Sequence, residues 1–469
     1  MSAGDDLRGP TAERLLDVRT PAEIAFSPDG SGAVFALHAT VADTGSFVPS
    51  DLWLVEGDAT PVQLTSGAWS DRTPAWSPDG SRLAFLSDRI TPGHQLPYTM
   101  VPRGEPMLAA TLEGSAESVS WSRDGERLLV LAADPGCYGL DWSARSVTGA
   151  GPAPDPATLR PGQARRRLFL LDLGSGGTAE VGPPGTDVWE VDWDGDATVV
   201  AIASVDPPGG SGWYAAKIVR LDLDGRTAQT LYEPTWQIEW LALSPDGRRA
   251  AVTEGYASDH GLLSGSVMIV DLAHGTTADP WKALETIGVA SWCDDDSLWY
   301  ARCDGTGTAC GRIWLDGRRE ERWRGEAFIG DEVTTPVCAI TEDAAVVLTT
   351  HQGHAMPPEL ARFDQATGEW IRLTSFNDDI TDSTTFPDAR TIRWTAEDGV
   401  ELEGVLMTPH ARTGPSRRSC ASTAGRRGTG VHTSPTRSRM RCCWPTEGTP
   451  ACCPTRAEAS AVDTSSRRE

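Results

Sequence analysis

The sequence predicts an all-β fold, a seven-bladed β-propeller of WD40-like repeats, and three observations predict it. The first is a turn. In Trp76-Ser77-Pro78-Asp79-Gly80, Pro78 presets φ, Asp79 can bond its own backbone and Gly80 takes the positive φ, so the apolar runs on either side read as a hairpin. The second is recurrence. The phrase returns at Phe26-Ser27-Pro28-Asp29-Gly30 and Leu243-Ser244-Pro245-Asp246-Gly247, altered at Trp121-Ser122-Arg123-Asp124-Gly125, and weakly at Asp192 to Gly195, Ser291 to Asp296 and Ile340 to Asp343. With Ser27, Ser77, Ser122, Asp194, Ser244, Cys293 and Thr341 as equivalent points, the steps are 50, 45, 72, 50, 49 and 48 residues, the period of propeller blades. The third is a further strand-like run after each hairpin, such as Asp51 to Val55, Arg167 to Leu173, Lys217 to Asp222, Ser266 to Asp271 and Arg312 to Asp316.

Taken in order, Met1 to Thr20 mixes acidic and basic residues and has no apolar segment of the length a signal peptide needs. No later stretch approaches a transmembrane span, so a cytoplasmic location is expected. In a reducing compartment the ten cysteines are expected to be thiols. A net charge of −25 argues against nucleic acid or an anionic membrane as partner. The 72-residue step holds Asp134 to Ala164, rich in Pro, Gly and Ala, which reads as a surface insertion in the third blade without a function of its own. Trp53, Trp76, Trp121, Trp193, Trp292 and Trp314 fall at repeat-equivalent strand positions, where core packing is expected.

After the seventh unit, Ile392 to Pro409 forms a hairpin outside the repeat, two apolar runs around an acidic turn with Gly399. The Ser-Pro-Asp-Gly propeller, Pro358-Glu359-Leu360, Leu373-Thr374-Ser375-Phe376-Asn377 and then Trp394-x-x-x-Asp398-Gly399-x-x-Leu402-x-Gly404-x-Leu406-x-x-Pro409 resemble the prolyl oligopeptidase family of serine peptidases. The resemblance is to its acylaminoacyl-peptidase and dipeptidyl-aminopeptidase branch, over about residues 20 to 410. It implies that the propeller caps an α/β-hydrolase domain opening with this hairpin, and that the parent enzyme cleaves short peptides which the propeller selects by size.

The family's next strand and its His-Gly-Gly-Pro loop do not follow. From Ala411 to Glu469 there is no Leu, Ile, Phe or Tyr, and eleven arginines face four acidic residues, a net +7 that leaves −32 for the rest. Such a segment cannot offset its ordering entropy, so a disordered tail is expected. Reading the codons one base earlier turns every Cys and every TC-type Ser into a hydrophobic residue. Residues 419 to 426 then allow Val-Val-x-Val-His-Gly-Gly-Pro, Cys443, Trp444 and Cys453 become Leu without choice, and 447 to 459 allow Arg-Gly-Tyr-Ala-x-Val-Leu-Pro-Asn-Pro-Arg-Gly-Ser. A single-base frameshift near Gly414 to Arg418 is inferred.

The expected organisation is therefore an N-terminal segment (1–20), the propeller (21–385), the first hairpin of a truncated hydrolase domain (386–412) and a disordered tail (413–469). An α/β-hydrolase needs a Gly-x-Ser-x-Gly elbow, and none occurs. No catalytic, cofactor or metal residue is therefore assigned, and no activity is expected of the chain as it stands. His351 and His354 lack a carboxylate or cysteine at ligand spacing and read as structural. Cys442-Cys443 with Cys452-Cys453 imitates a zinc site that shifted leucine codons produce for free, and Cys303 with Cys310 are expected to be thiols rather than a disulfide. The competing reading is a stand-alone propeller that presents a face or channel to a peptide or protein.

Overall fold

A computed structural model of the chain describes residues 14, 16–39, 49–135, 137, 164–205, 210–257, 260, 264–281, 287–330, 336–341, 344–408 and 425–426. Seven antiparallel sheets follow one another, each built from consecutive strands. Blade 1 runs from Arg19–Phe26 to Val62–Gln63, blade 2 from Asp71–Trp76 to Met107–Leu108, blade 3 from Ser115–Trp121 to Gly177–Glu180 and blade 4 from Asp187–Trp193 to Thr227–Tyr232. Blade 5 runs from Gln237–Leu243 to Thr277–Ala278, blade 6 from Ile287–Asp294 to Arg319–Gly325 and blade 7 from Phe328–Ile329 to Glu369–Arg372. In blade 7 the innermost position is shared by Phe328–Ile329 and Ala339–Ile340, which both pair with Val347–Gly353. No helix among the described residues is long and apolar enough to cross a membrane.

The repeated turn forms as its residues dictate. Gly30, Gly80, Gly125 and Gly247 sit at φ between +66° and +71°, and each donates its N–H to the serine carbonyl three residues back. The serine closes the loop from inside. The Ser77 hydroxyl donates to Asp79 at 2.6 Å and accepts the Arg82 N–H at 2.9 Å, and Ser27, Ser122 and Ser244 repeat this. The weak copies reach the same end differently. At the seventh, Thr341 replaces serine and Ala344 takes φ +55°. At the sixth the turn residue is Asp294, one position after the Cys293 taken as equivalent: its carboxylate accepts Asp296 N–H at 2.9 Å and the Ser297 hydroxyl at 2.8 Å, while Cys293 is fully buried.

Packing explains why the second strands are continuously apolar. Leu128, Val130 and Ala132 face the cluster shared with blades 1 and 2, and the alternate Leu129 and Leu131 face the one shared with blade 4. Ala250 and Val252 likewise pack toward blade 4, and Ala251 toward blade 6. Each blade is sandwiched between two neighbours, so period-2 alternation shows as a choice of neighbour rather than as polarity. Three of the predicted tryptophans satisfy their ring nitrogens across these seams: Trp76 donates to Ala25 O at 3.2 Å, Trp121 to Ala75 O at 3.0 Å and Trp292 to Ala242 O at 3.0 Å, whereas the buried Trp53 Nε1 has no hydrogen-bond partner among the described residues. Trp193 bonds its own turn instead, at Asp196 O.

Among the described residues no strand is exchanged between first and last blades, and side chains join them. Ala33, Phe35 and Leu37 of blade 1 pack on Leu348 and Leu360 of blade 7. Asn377, 1% exposed, clamps the seam: its Oδ1 accepts Arg19 N–H at 2.8 Å, and its Nδ2 donates to Arg19 O at 2.9 Å and Pro358 O at 2.8 Å. Buried Glu359 accepts the Asn377 and Phe376 N–H groups at 2.8 and 3.1 Å. The two motifs of the resemblance, Pro358-Glu359-Leu360 and Leu373 to Asn377, thus form one closing device.

Blade 1 also carries an unfavourable charge. Burial first, and then the neighbouring Asp71, push the half-buried Asp51 carboxyl up to about 6. A raised folded-state value favours the protonated form, so this group weakens the fold as pH rises from about 4 to 6, with the loss persisting above. Two pK units correspond to about 3 kcal/mol, which solvent screening of a half-exposed group reduces to roughly 1 kcal/mol. Asp51→Asn should therefore stabilise the protein by roughly 1 kcal/mol near pH 8 and by nothing near pH 3, measured by denaturant titration at both. An equal gain at both pH values would refute the assignment.

Candidate functional site on the loop face

Connectivity gives the propeller two unlike faces. First-to-second and third-to-fourth connections share one face and span two to six residues throughout. Second-to-third connections open on the other, spanning 10 residues in blade 1, 8 in blade 2, 32 in blade 3, 12 in blade 4 and 10 in blade 5, but only two in blades 6 and 7. The insertion expected at 134 to 164 belongs to this face, and most of it lies outside the described residues.

The C-terminal hairpin sits where the loops are short. Asp388–Thr395 pairs with Glu401–Thr408 over eight positions around a turn with Gly399 at φ +82°. Its anchor is Glu403, 4% exposed, whose carboxylate accepts Thr306 N–H of the blade 6 turn at 3.0 Å and Arg393 Nε–H at 3.1 Å. Thr391 bridges Thr306 at 2.9 Å and Glu326 at 2.9 Å. The seat is polar, and the apolar Ile392, Trp394, Leu402 and Leu406 stay half-buried, as a strand pair without its covering sheet would leave them. Of the expected tail, Gly425 and Arg426 pair with Glu403 and Leu402; the other residues from 409 on lie outside the described set.

Gly305 makes this seat possible. It has φ +63°, and a Cβ there would lie 1.4 Å from Glu403 Oε1. Gly305→Ala should expel the carboxylate, release the hairpin and speed amide exchange of Ile392 to Leu406 at least tenfold, leaving the blades unchanged, because a buried charged hydrogen bond contributes about 1.5 to 3 kcal/mol. Unchanged exchange in the hairpin would contradict this seat.

Between the innermost strands, acidic groups tie blade to blade. Glu23 accepts Arg72 at 2.6 Å and Thr73 N–H at 2.5 Å, and Glu190 holds Trp240 and Leu241 N–H groups at 3.2 and 2.9 Å. These N–H groups belong to bulged backbone, with Thr73 and Trp240 at φ +53° and +62°. Beside them Arg166, 2% exposed, pairs with Glu117 at 3.0 Å and lies 4.5 Å over the Trp189 ring. Next in line is His260, in the blade 5 loop: its ring lies 3.7 Å from Glu190 and 3.8 Å from Glu239, against Trp189 and Trp213. Its described contacts are carboxylates and indoles, a setting that binds and orients rather than one that activates a nucleophile. Sequence reasoning missed His260, since a single histidine in a loop has no periodic signature. Tyr214, Trp236 and Tyr256 expose their rings on the same face.

The other sequence candidates are dispersed. His351 packs against Trp323 and Trp370, where burial pushes its pKa down, while His354 is exposed in the adjoining turn. Cys303 and Cys310 pair in the ladder with Thr308 and Ala301 and remain thiols. No group of three metal-ligating residues occurs among the described residues, and Cys442, Cys443, Cys452 and Cys453 lie outside them.

No family model matches the chain. An uncharacterized peptidase of Bacillus subtilis, YuxL, is 30% identical over 123 residues, covering 26% of this chain and 18% of that protein. The fold matches the acylaminoacyl peptidase of Pyrococcus horikoshii with a TM-score of 0.61 at 14% identity, over 85% of this chain and 59% of that one. It also matches the isolated β-propeller domain of the Trilobed protease from Pyrococcus furiosus, with a TM-score of 0.51 at 14% identity, over 77% of this chain and 99% of the domain. The chain shares its fold with the propeller portions of these peptidases. The chain spans 59% of the acylaminoacyl peptidase and 18% of the Bacillus peptidase. The Pyrococcus furiosus domain has an open velcro topology.

Proposed function

We propose that this chain is the substrate-restricting propeller of a serine peptidase acting on short peptides, and that the catalytic segment is encoded one frame away from about residues 414 to 418. The observation that carries the reading is the seat of the hairpin. Glu403 on Gly305-Thr306 brings the chain off the propeller on the loop face, so a domain continuing from it would lie over the ring of innermost strands and the long connections of blades 1 to 5. Substrate would then reach a nucleophile only past that rim, which favours short, unfolded peptides. The likeness to acylaminoacyl peptidase and to a bacterial peptidase supports the same reading. As translated, the chain has no nucleophile elbow, and we expect no hydrolysis from it.

The test is substrate size. The frame-restored enzyme should cleave aminoacyl chromogenic substrates and short peptides and leave an unfolded protein such as reduced casein intact. Equal cleavage of both would remove the restricting role. A stand-alone binding role is favoured by one observation, the exposed Trp236–Tyr256 edge-to-face pair at 5.5 Å on the loop face. Peptide binding that persists after deletion of residues 411 to 469 and is lost in Trp236→Ala would establish it.

A further inference from the structure

We infer that Cys310 and Cys338 form an oxidation-sensitive thiol pair that staples blade 6 to blade 7. Cys310 lies on Gly307–Trp314, the third strand of blade 6, and Cys338 immediately precedes the inner strand Ala339–Ile340 of blade 7. Both point into one apolar cluster at the seam, with Trp299, Ile329 and Phe363, and are 0% and 5% exposed. The Cys338 side chain beside it, together with burial, holds the Cys310 thiol well above its ordinary pKa. The two are 28 positions apart in sequence and on different sheets, so nothing in the spacing announces them. The pairing that spacing does suggest, Cys303 with Cys310, is not the one the fold makes.

Access distinguishes the two sulfurs. Cys338 lines a cavity of about 280 Å³ among the innermost strands, bounded also by Glu23 and Ile24 of blade 1, Ser291 of blade 6 and Thr349 of blade 7. Cys310 lies behind it. A small peroxide reaching the cavity would oxidise Cys338 first: its sulfur takes one peroxide oxygen to give the sulfenic acid and one water leaves. Cys310 then attacks that sulfur, the S–O bond breaks, and a second water leaves as the disulfide forms. Two thiols lose two electrons and two protons, and the peroxide is reduced to two waters. The bond would fix the seam next to the blade 7 to blade 1 closure, where side chains join the blades.

Trypsin separates the relevant cysteines, because cleavage after Lys282, Arg302, Arg312, Arg324 and Arg362 places Cys293, the pair Cys303 with Cys310, and Cys338 on three peptides. The full chain is treated with hydrogen peroxide, free thiols are blocked with iodoacetamide, and non-reduced digests are analysed by mass spectrometry. We expect peptide 303–312 joined to 325–362 with the loss of two hydrogens, a link retained in Cys303→Ser and lost in Cys310→Ser. In Cys310→Ser the sulfenic acid should persist at Cys338 and be trapped by dimedone. An internal Cys303–Cys310 bond, a link from Cys293 to Cys338, or oxidation of cysteines beyond 411 with 310 and 338 still alkylated would each overturn the assignment.

Discussion

Asn377→Ala should open the ring between blades 7 and 1 and cost about 3 kcal/mol. The amide is buried and satisfies Arg19 N–H, Arg19 O and Pro358 O at 2.8 to 2.9 Å. Truncation strands all three backbone groups in a seam with Phe35, Leu348 and Leu360, and each stranded group costs about 1 to 3 kcal/mol unless water enters. Asn377→Asp should be worse than alanine, since it deletes the Nδ2 donor and sets a second carboxylate beside buried Glu359. Denaturant titration gives the size of the effect and amide exchange its place: protection should fall in Arg19–Phe26 and Met356–Asp364 before blades 3 to 5. A loss below about 1 kcal/mol, or exchange raised evenly around the ring, would show that the apolar cluster closes the ring without the amide.

Restoring one base near Gly414 to Arg418 should yield an enzyme where the 469-residue chain is expected to show no turnover. The 469-residue product has a propeller and a seated hairpin but no Gly-x-Ser-x-Gly, whereas the alternative frame allows a buried-strand pattern and His-Gly-Gly-Pro, whose backbone N–H groups would help stabilise a tetrahedral oxyanion. The expected difference on an aminoacyl chromogenic substrate is between no turnover above buffer and a rate enhancement on the order of a millionfold or more. Restored activity that disappears on Gly305→Ala would further show that the hairpin seat aligns the two domains.

The repeat was legible because its turn chemistry is local. Pro78, Asp79 and Gly80 act within one hairpin, so spacing alone counts the blades. Where a copy degenerates, as at Cys293 and Asp294, sequence alignment slips by one residue because the structure conserves the hydrogen-bonding role rather than the position. The ring closure was half legible: its motifs carried the family resemblance, but a polar pair joining Arg19 to Asn377 across 358 residues leaves no pattern in the chain. For the same reason the seat of Glu403 on Gly305 and the Glu190–His260–Glu239 arrangement were invisible. Each is a single contact between remote segments, brought together by the blades and advertised by no period of its own.

The most direct test of the central claim combines the coding DNA with a fluorophosphonate probe. Sequencing through codon 414 and beyond should reveal, in the frame one base away, Val-Val-x-Val-His-Gly-Gly-Pro, then Arg-Gly-Tyr, then a Gly-x-Ser-x-Gly elbow followed by Asp and His. The frame-restored protein should be labelled by the probe at that serine, and the 469-residue chain should not be labelled. Labelling of the 469-residue chain itself, or downstream DNA with no elbow in any frame, would contradict the account.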